Sequence, residues 1–323
     1  MTLPTIGITL GDPGGIGTEV TLKAIVHNLT LPEVRIVLFG SRFVVEKEMQ
    51  SLGLSLDIPS CTEPVSINPP RLSFYEVDNS IQSLQRGSPS AINGEASFHF
   101  FEAAVQKARD GFLHSIVTAP ISKHSWSLAG LPYAGHTEYL AQIFPQAIMA
   151  FWSERLKVAL LSHHIPLTKA VQRIKKDELL DFFLHLRQTL SGTKLKTYRF
   201  LVAGLNPHAG EEGLMGLEEL EEITPAIAEA RNKGMPIEGP FSPDVVFRKA
   251  LGQPETMVIA LYHDQGLIPF KMVAFDEGVN FTLGLPFVRT SPDHGTAFDI
   301  AGRGVANPMS MIEAINLTTQ LEK

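Results

Sequence analysis

Along the chain, short apolar runs alternate with longer segments whose apolar positions recur at helical spacing. The runs are Thr5 to Leu10, Arg35 to Phe39, Leu72 to Val77, Ser115 to Thr118, Val158 to Leu161, Phe200 to Ala203 and Met257 to Leu261. Apolar throughout and bounded by turn residues, they predict strands buried on both faces. Between them, Gly94 to Arg109 brings Ala96, Phe100, Ala103, Ala104 and Ala108 near one helical face. Lys176 to Leu190 and Glu218 to Asn232 carry the same period, and Pro308 to Leu321 predicts a closing helix. Strands and helices in alternation predict a largely parallel sheet wrapped by helices. Leu54 to Pro70, proline-rich and without a period, reads as a connecting loop.

At 323 residues and 44% hydrophobic, the chain can bury a sizeable core, expected in two lobes. Its net charge of -7 argues against nucleic acid, which is bound through concentrated Lys and Arg. An anionic substrate must therefore meet a few local cations. Cys61 is the one cysteine, so disulfides within the chain and all-cysteine zinc sites are excluded, and the usage fits a reducing compartment. The start MTLPTIGITL has neither a basic nor a long apolar region, and no segment approaches the ~20 apolar residues that cross a bilayer. No membrane partner is expected, and the cytoplasm is the default location.

Unusual polar motifs follow the predicted strands: GDPGGIG after Leu10, TAPISK at the end of the Ser115 strand, SHHIPL after Leu161, GLNPHAG after Ala203 and YHDQG after Leu261. In open α/β sheets, ligands sit beyond the carboxyl ends of strands, where such loops lie. His164, His208 and His263 share one slot, the first turn after a buried strand. A lone histidine is more often a structural hydrogen-bonding group. Three in equivalent loops point to a metal, because catalytic sites commonly take three protein ligands and leave a position open. Asp264 is placed to orient His263. Neither H-E-x-x-H nor G-x-S-x-G occurs, so hydrolysis through those devices loses support.

His136-Thr137-Glu138 follows Gly135 at the start of an apolar helical pattern. Helix-start amides, an imidazole and a hydroxyl suit an anion, and the alternative is an ordinary cap by Thr137. Lys271, Asn280 and Arg289 stand in an otherwise apolar stretch, where charges need an anionic ligand or salt bridges to Asp276 or Glu277. No complete G-x-G-x-x-G and no Walker A sequence is present. The small residues of Asp293 to Gly304 would let a ligand approach backbone amides, but alone they make only a glycine-rich loop.

Taken with ITLGDPGGIG, TAPISK, GHTEY, LNPHAGE, YHDQGLIPFK and GVNFTLGLPFVRTSPDHGTAFDIAGRG, the chain closely resembles the PdxA family of pyridoxal phosphate biosynthesis over essentially its whole length. The resemblance implies the isocitrate and isopropylmalate dehydrogenase-like α/β fold, two α/β/α lobes around a central cleft. The expected lobes are residues 1-132 with 268-323, and residues 133-267, the second carrying most metal ligands and the dimer contacts. It implies His164, His208 and His263 as metal ligands, zinc first, with cobalt, manganese or magnesium as alternatives. Substrate contacts match His136, Thr137, Lys271, Asn280 and Arg289, and Asp244 in GPFSPDVVF matches a further acid. Lys271 and Asp244 are the candidates for proton transfer. HGTAFDIAGRGVANP is similar to the loop that holds NAD in isopropylmalate dehydrogenases, which implies NAD (or NADP) at His294, Gly295, Thr296, Ala297 and Asp299. The family implies a homodimer with a shared active site and NAD-dependent oxidation of 4-phosphooxy-L-threonine. A paralogous oxidation of 4-phospho-D-threonate or 4-phospho-D-erythronate, and a metal-dependent phosphohydrolase, are the competing readings.

Overall fold

Five parallel strands form the sheet of the first compact unit, in the order β3-β2-β1-β4-β11. The computed structural model describes residues 3–28, 34–62, 70–77, 81, 83–191, 193 and 195–321. This unit comprises Met1–Pro145 and Leu285–Glu322. Its elements are β1 (Thr5–Thr9), α1 (Gly17–Asn28), β2 (Arg35–Gly40), α2 (Arg42–Leu52), β3 (Leu72–Glu76), α3 (Ala91–Arg109), β4 (Ser115–Thr118), α4 (Lys123–Leu128) and α5 (His136–Ile143). The chain returns to it with β11 (Val288–Pro292) and α11 (Met309–Leu321).

The second unit, Gln146–Gly284, holds β5 (Ile148–Trp152), β6 (Lys157–Leu160), α6 (Leu167–Gln172), α7 (Lys176–Leu190), β7 (Arg199–Ala203) and α8 (Thr224–Asn232). It continues with β8 (Ile237–Phe241), α9 (Pro243–Ala250), β9 (Thr256–Ala260), α10 (His263–Ala274) and β10 (Val279–Leu283). Its strand order is β10-β5-β6-β9-β7-β8, with β5 antiparallel to both neighbours and the other pairs parallel. All seven runs read from the sequence are strands, and β5, β8, β10 and β11 join them. The connecting loop expected at 54–70 falls partly outside the described residues.

Packing explains where the units divide. Tyr139 and Leu140 of α5 join Phe98, Phe101 and Trp126 in one buried cluster, so the first unit runs past residue 132. Leu267 and Phe270 of α10 pack with Met149, Phe151 and Val158 in the other, so α10 and β10 belong to the second unit rather than beginning after 267 in the first. The Glu218 to Asn232 segment is a π-helical turn at Glu219–Ile223 leading into α8, with Pro225 in the first turn of that helix. Among the described residues no helix is long and apolar enough to cross a membrane.

Gly94 shows how tightly α3 and α4 approach. A Cβ at that position would lie 2.1 Å from the Ser125 carbonyl oxygen and 2.4 Å from its carbon. Backbone cannot yield as a flexible side chain can, so Gly94→Ala is expected to destabilise the first unit by about 3 kcal/mol despite alanine's better helix propensity. A rise in the thermal midpoint would contradict this packing.

Candidate active site

The first unit gathers a set of hydrogen-bond donors at the end of β4. Arg289 on β11 is paired in register with Ile116 and is only 3% exposed. Its Nη2 donates to Thr118 Oγ1 at 2.8 Å and to His136 Nδ1 at 3.3 Å. A guanidinium only donates, so Nδ1 must accept and the ring proton sits on Nε2. That Nε2 is buried without a hydrogen-bond partner among the described residues. Burial first, then the positive charges of Arg289 and Lys123, hold the His136 pKa well below its ordinary value, so the ring is neutral. Burial likewise pulls Arg289 down to about 10, still cationic at neutral pH. Phe101 lies with its ring centroid 4.3 Å from that of His136, and Trp126 meets the imidazole edge-on at 5.5 Å. A neutral N–H donor beside a buried guanidinium is a site for phosphate or carboxylate oxygen.

α5 begins at His136, and its cap position is Gly135 rather than Thr137, which is half-buried in the first turn. The ordinary capping role open to Thr137 is thereby not the one it takes. Thr118 and Lys123 were not singled out in the sequence, although both belong to TAPISK. The Lys123 stem lies beside Gly135, with Cε 3.4 Å from where a Cβ would stand.

The Asp293 to Gly304 loop is held to the same unit from two sides. Ile16 N donates to Thr296 O at 3.0 Å, and a Cβ on Gly15 would stand 2.8 Å from Thr296 Cβ. Further on, Lys23 Nζ donates to the carbonyls of Gly304 and Ala306, while Glu19 accepts from Lys23 and from Ala306 N. His294 Nδ1 faces Gly295 O at 3.0 Å, which makes Nδ1 the donor and leaves Nε2 a buried acceptor without a partner among the described residues. Apart from its chain neighbours, no described residue comes within 4 Å of where a Gly295 Cβ would be, Ala297 has φ of 42°, and Asp299 is exposed. An unpartnered acceptor and accessible glycine backbone fit a nucleotide cofactor. Asp12, also not singled out, is fully buried; its carboxylate accepts from Gly14 N at 2.8 Å and from Ser125 Oγ at 2.6 Å. Burial raises its pKa against those two hydrogen bonds. GDPGGIG is thus tied both to α4 and to Thr296.

The second unit carries the three histidines. His164 follows β6 and His263 opens α10, with ring centroids 5.6 Å apart. His263 Nδ1 lies 2.7 Å from Asp264 Oδ1, which orients the ring and leaves Nε2 for a ligand. His208 Nδ1 is 3.2 Å from Glu211 Oε2. Among the described residues no three His, Cys, Asp or Glu side chains stand close enough to hold a metal ion, so His208 does not converge with the other two here. Residues 208 to 212 all have positive φ, from 43° to 82°, and form a left-handed turn. The donor chemistry still fits a borderline divalent metal, two imidazoles being paired and each oriented ring having Nε2 to offer.

Asp244 stands in the first turn of α9. A Ser242 hydroxyl donating to its carboxylate, and His208 nearby, hold its pKa below the usual range. Lys271 projects from α10 with Nζ 5.9 Å from the Phe275 ring centre, and Asn280 lies on β10 opposite Phe151.

A family model described as "Pyridoxal phosphate biosynthetic protein PdxA" matches residues 33–318. The chain is similar to the 4-hydroxythreonine-4-phosphate dehydrogenase of Aquifex aeolicus, 42% identical over 98% of each sequence. It is 38% identical, over 98% of this chain and 96% of the relative, to a Halalkalibacterium halodurans protein that bears the provisional description D-threonate 4-phosphate dehydrogenase. The solved 4-hydroxythreonine-4-phosphate dehydrogenase of Klebsiella pneumoniae superposes with a TM-score of 0.84, at 35% identity and 98% coverage of both chains. A Thermococcus kodakarensis β-decarboxylating dehydrogenase shares the fold alone, at a TM-score of 0.53, 12% identity and coverage of 99% of this chain and 85% of that one.

Proposed function

This chain belongs to the PdxA family, and on that premise we propose that it oxidises 4-phosphooxy-L-threonine at C3. The product is 2-amino-3-oxo-4-phosphooxybutanoate, a β-keto acid that loses carbon dioxide to give 3-amino-2-oxopropyl phosphate. The observation that carries this reading is the buried pair of Arg289 and neutral His136, whose Nε2–H lacks a partner among the described residues. A buried guanidinium beside a neutral imidazole N–H favours an anionic ligand.

Each residue set then has a task. Arg289, His136 and Thr137 bind an anionic group of the substrate, with Lys123 adding positive charge beside them. His294, Gly295, Thr296, Ala297 and Asp299 hold the nicotinamide cofactor, NAD or NADP, on a loop fixed by Gly15 and Ile16. His164, His208 and His263 would hold the metal, zinc first by ligand type. When bound, the metal supplies Lewis acidity toward the substrate hydroxyl and the nicotinamide supplies the hydride acceptor. Asp244, kept ionised by Ser242, is a weak base and serves as negative charge beside His208. That leaves Lys271 to take the hydroxyl proton, with Asn280 as a neutral substrate contact. Lys271→Met is expected to lower kcat by about 10²- to 10⁴-fold. Unchanged kcat with a raised KM would assign Lys271 to binding alone.

The active form in this reading is a cytoplasmic homodimer. Ile268, Met272 and Phe275, all more than half exposed, follow at helical spacing along and just past α10, an apolar stripe suited to a second copy. The second reading, oxidation of a D-threonate 4-phosphate, rests on the Halalkalibacterium relative. Purified protein with NAD and each phospho-acid in turn, followed for NADH with and without a chelator, decides between them. NADH formed fastest from 4-phosphooxy-L-threonine supports the first reading; NADH from the D-acid alone replaces it. Phosphate release without NADH would return the hydrolase reading.

A further inference from the structure

Proton transfer and ligand contact leave Asp12 without a task, yet its carboxylate lies wholly out of water. Asp12 and its partner Ser125 are both 0% exposed. The backbone around them is fastened at each step. Asp12 N donates to Pro120 O at 3.0 Å, while the carboxylate accepts from Gly14 N through Oδ1 and from Ser125 Oγ through Oδ2. Gly15 N turns back to Asp12 O at 3.0 Å, and Gly14 O accepts from Gly87 N at 2.9 Å. The two glycines admit close neighbours on either side. A Cβ on Gly14 would stand 2.6 Å from Asn93 Nδ2 and 2.8 Å from Gln85 O. On Gly15 it would stand 2.8 Å from both the Cβ and the carbonyl oxygen of Thr296, which also accepts from Ile16 N. The turn that Asp12 closes is thus pressed between residues 85–93 and the 293–304 loop.

We infer that Asp12, held by Ser125, is a positioning residue for the nicotinamide cofactor: it fixes the 14–16 turn on which Thr296, and with it the 294–299 backbone, is set. The inference rests on reading that loop as the cofactor's. Aspartate and asparagine close turns in exposed loops without leaving water, so a turn alone does not require a buried carboxylate. Burial raises the Asp12 pKa, and the two hydrogen bonds oppose that rise. What sets this turn apart is its directness, because bare glycine backbone meets the loop and a shift at Gly14 passes to Thr296 with no flexible side chain between. The contact is doubled two residues on, where a Cβ on Gly87, itself bound to Gly14 O, would lie 3.4 Å from Phe298 O. Ala297, between these two contacts, is held at φ 42°, a left-handed conformation that alanine keeps only where its surroundings impose it.

The test is a fluorescence titration of the full-length protein with NADH and with NADPH, well below each variant's thermal midpoint, which is measured alongside. Asp12→Ala removes both carboxylate contacts and is expected to weaken binding of the preferred nucleotide by about 10- to 100-fold. Ser125→Ala removes one of them and should weaken it by about three- to tenfold. Asp12→Asn keeps an acceptor for Gly14 N and offers Nδ2 to Ser125 Oγ, so its affinity should stay within about threefold of the parent. In turnover, the KM for the nucleotide should rise in Asp12→Ala by the same factor as the dissociation constant, with kcat at saturating nucleotide within about threefold. Parental affinity in Asp12→Ala and Ser125→Ala, with only the midpoints lowered, would overturn the proposal and leave a structural turn. Asp12→Asn binding as weakly as Asp12→Ala would overturn it as well, since that variant keeps the geometry. If Asp12→Ala fails to fold, Ser125→Ala decides by the same criterion. A parent protein that binds neither nucleotide would overturn the cofactor reading and the positioning role together.

Discussion

Arg289→Met should lower kcat/KM for the phosphorylated substrate by about 10³-fold while leaving the thermal midpoint unchanged or higher. The loss follows from two or so charge-assisted hydrogen bonds, about 4 kcal/mol in the transition state. The stability side follows from burial. Arg289 is 3% exposed, two of its partners, Thr118 and His136, are uncharged, and burial has already pulled its pKa to about 10. Such a cation is expensive to keep out of water, and methionine fills comparable volume without that penalty. Activity and stability moving in opposite directions would mark Arg289 as kept for its ligand. A lower midpoint with full activity would make it a structural residue and remove the main support for the anion pocket.

The second large effect is expected at His208. Asparagine tolerates the left-handed backbone found there, so His208→Asn tests the imidazole rather than the turn. The side chain is 66% exposed, and the substitution should alter stability by no more than about 0.5 kcal/mol. Turnover should nevertheless fall at least about 10³-fold, and added Zn²⁺ should no longer protect against thermal unfolding. Parental activity in the presence of a strong chelator, for parent and variant alike, would remove the metal from the mechanism.

Most of the parallel sheet can be read from the chain, because strands buried on both faces are plain apolar runs. The four that escape have particular reasons. β8 carries Gly239 and Pro240, which punctuate a strand as they would a turn. β10 alternates buried and half-buried positions within a stretch whose charged ends obscured the pattern. β11 contains Arg289 with Thr290 and Ser291, polar residues that break the apolar run. β5 is short and runs against its neighbours, which an alternating strand-helix pattern does not suggest.

The candidate site divides the same way. His136 and Arg289 were legible as residue types, but their contact joins positions 153 apart. The burial of Asp12 is not legible in the sequence, because nothing local says that GDPGGIG will be packed against Ser125. His208 was legible as a ligand type and not as a geometry. Ala209, Glu211 and Glu212 all take positive φ, a choice that no rule about glycine or asparagine would anticipate.

The interruption of the first unit between β4 and β11 has a consequence for how the protein is born. The second unit is one unbroken stretch, Gln146–Gly284, and can complete its own sheet as it leaves the ribosome. β4 must wait for β11, about 170 residues later, with one edge unpaired. Closing so long a gap adds only a modest entropic penalty, but it delays the step until synthesis is nearly over. Because β11 delivers Arg289, its contacts with Thr118 and His136 are assembled last, and a chain released early would be folded in part and lack them.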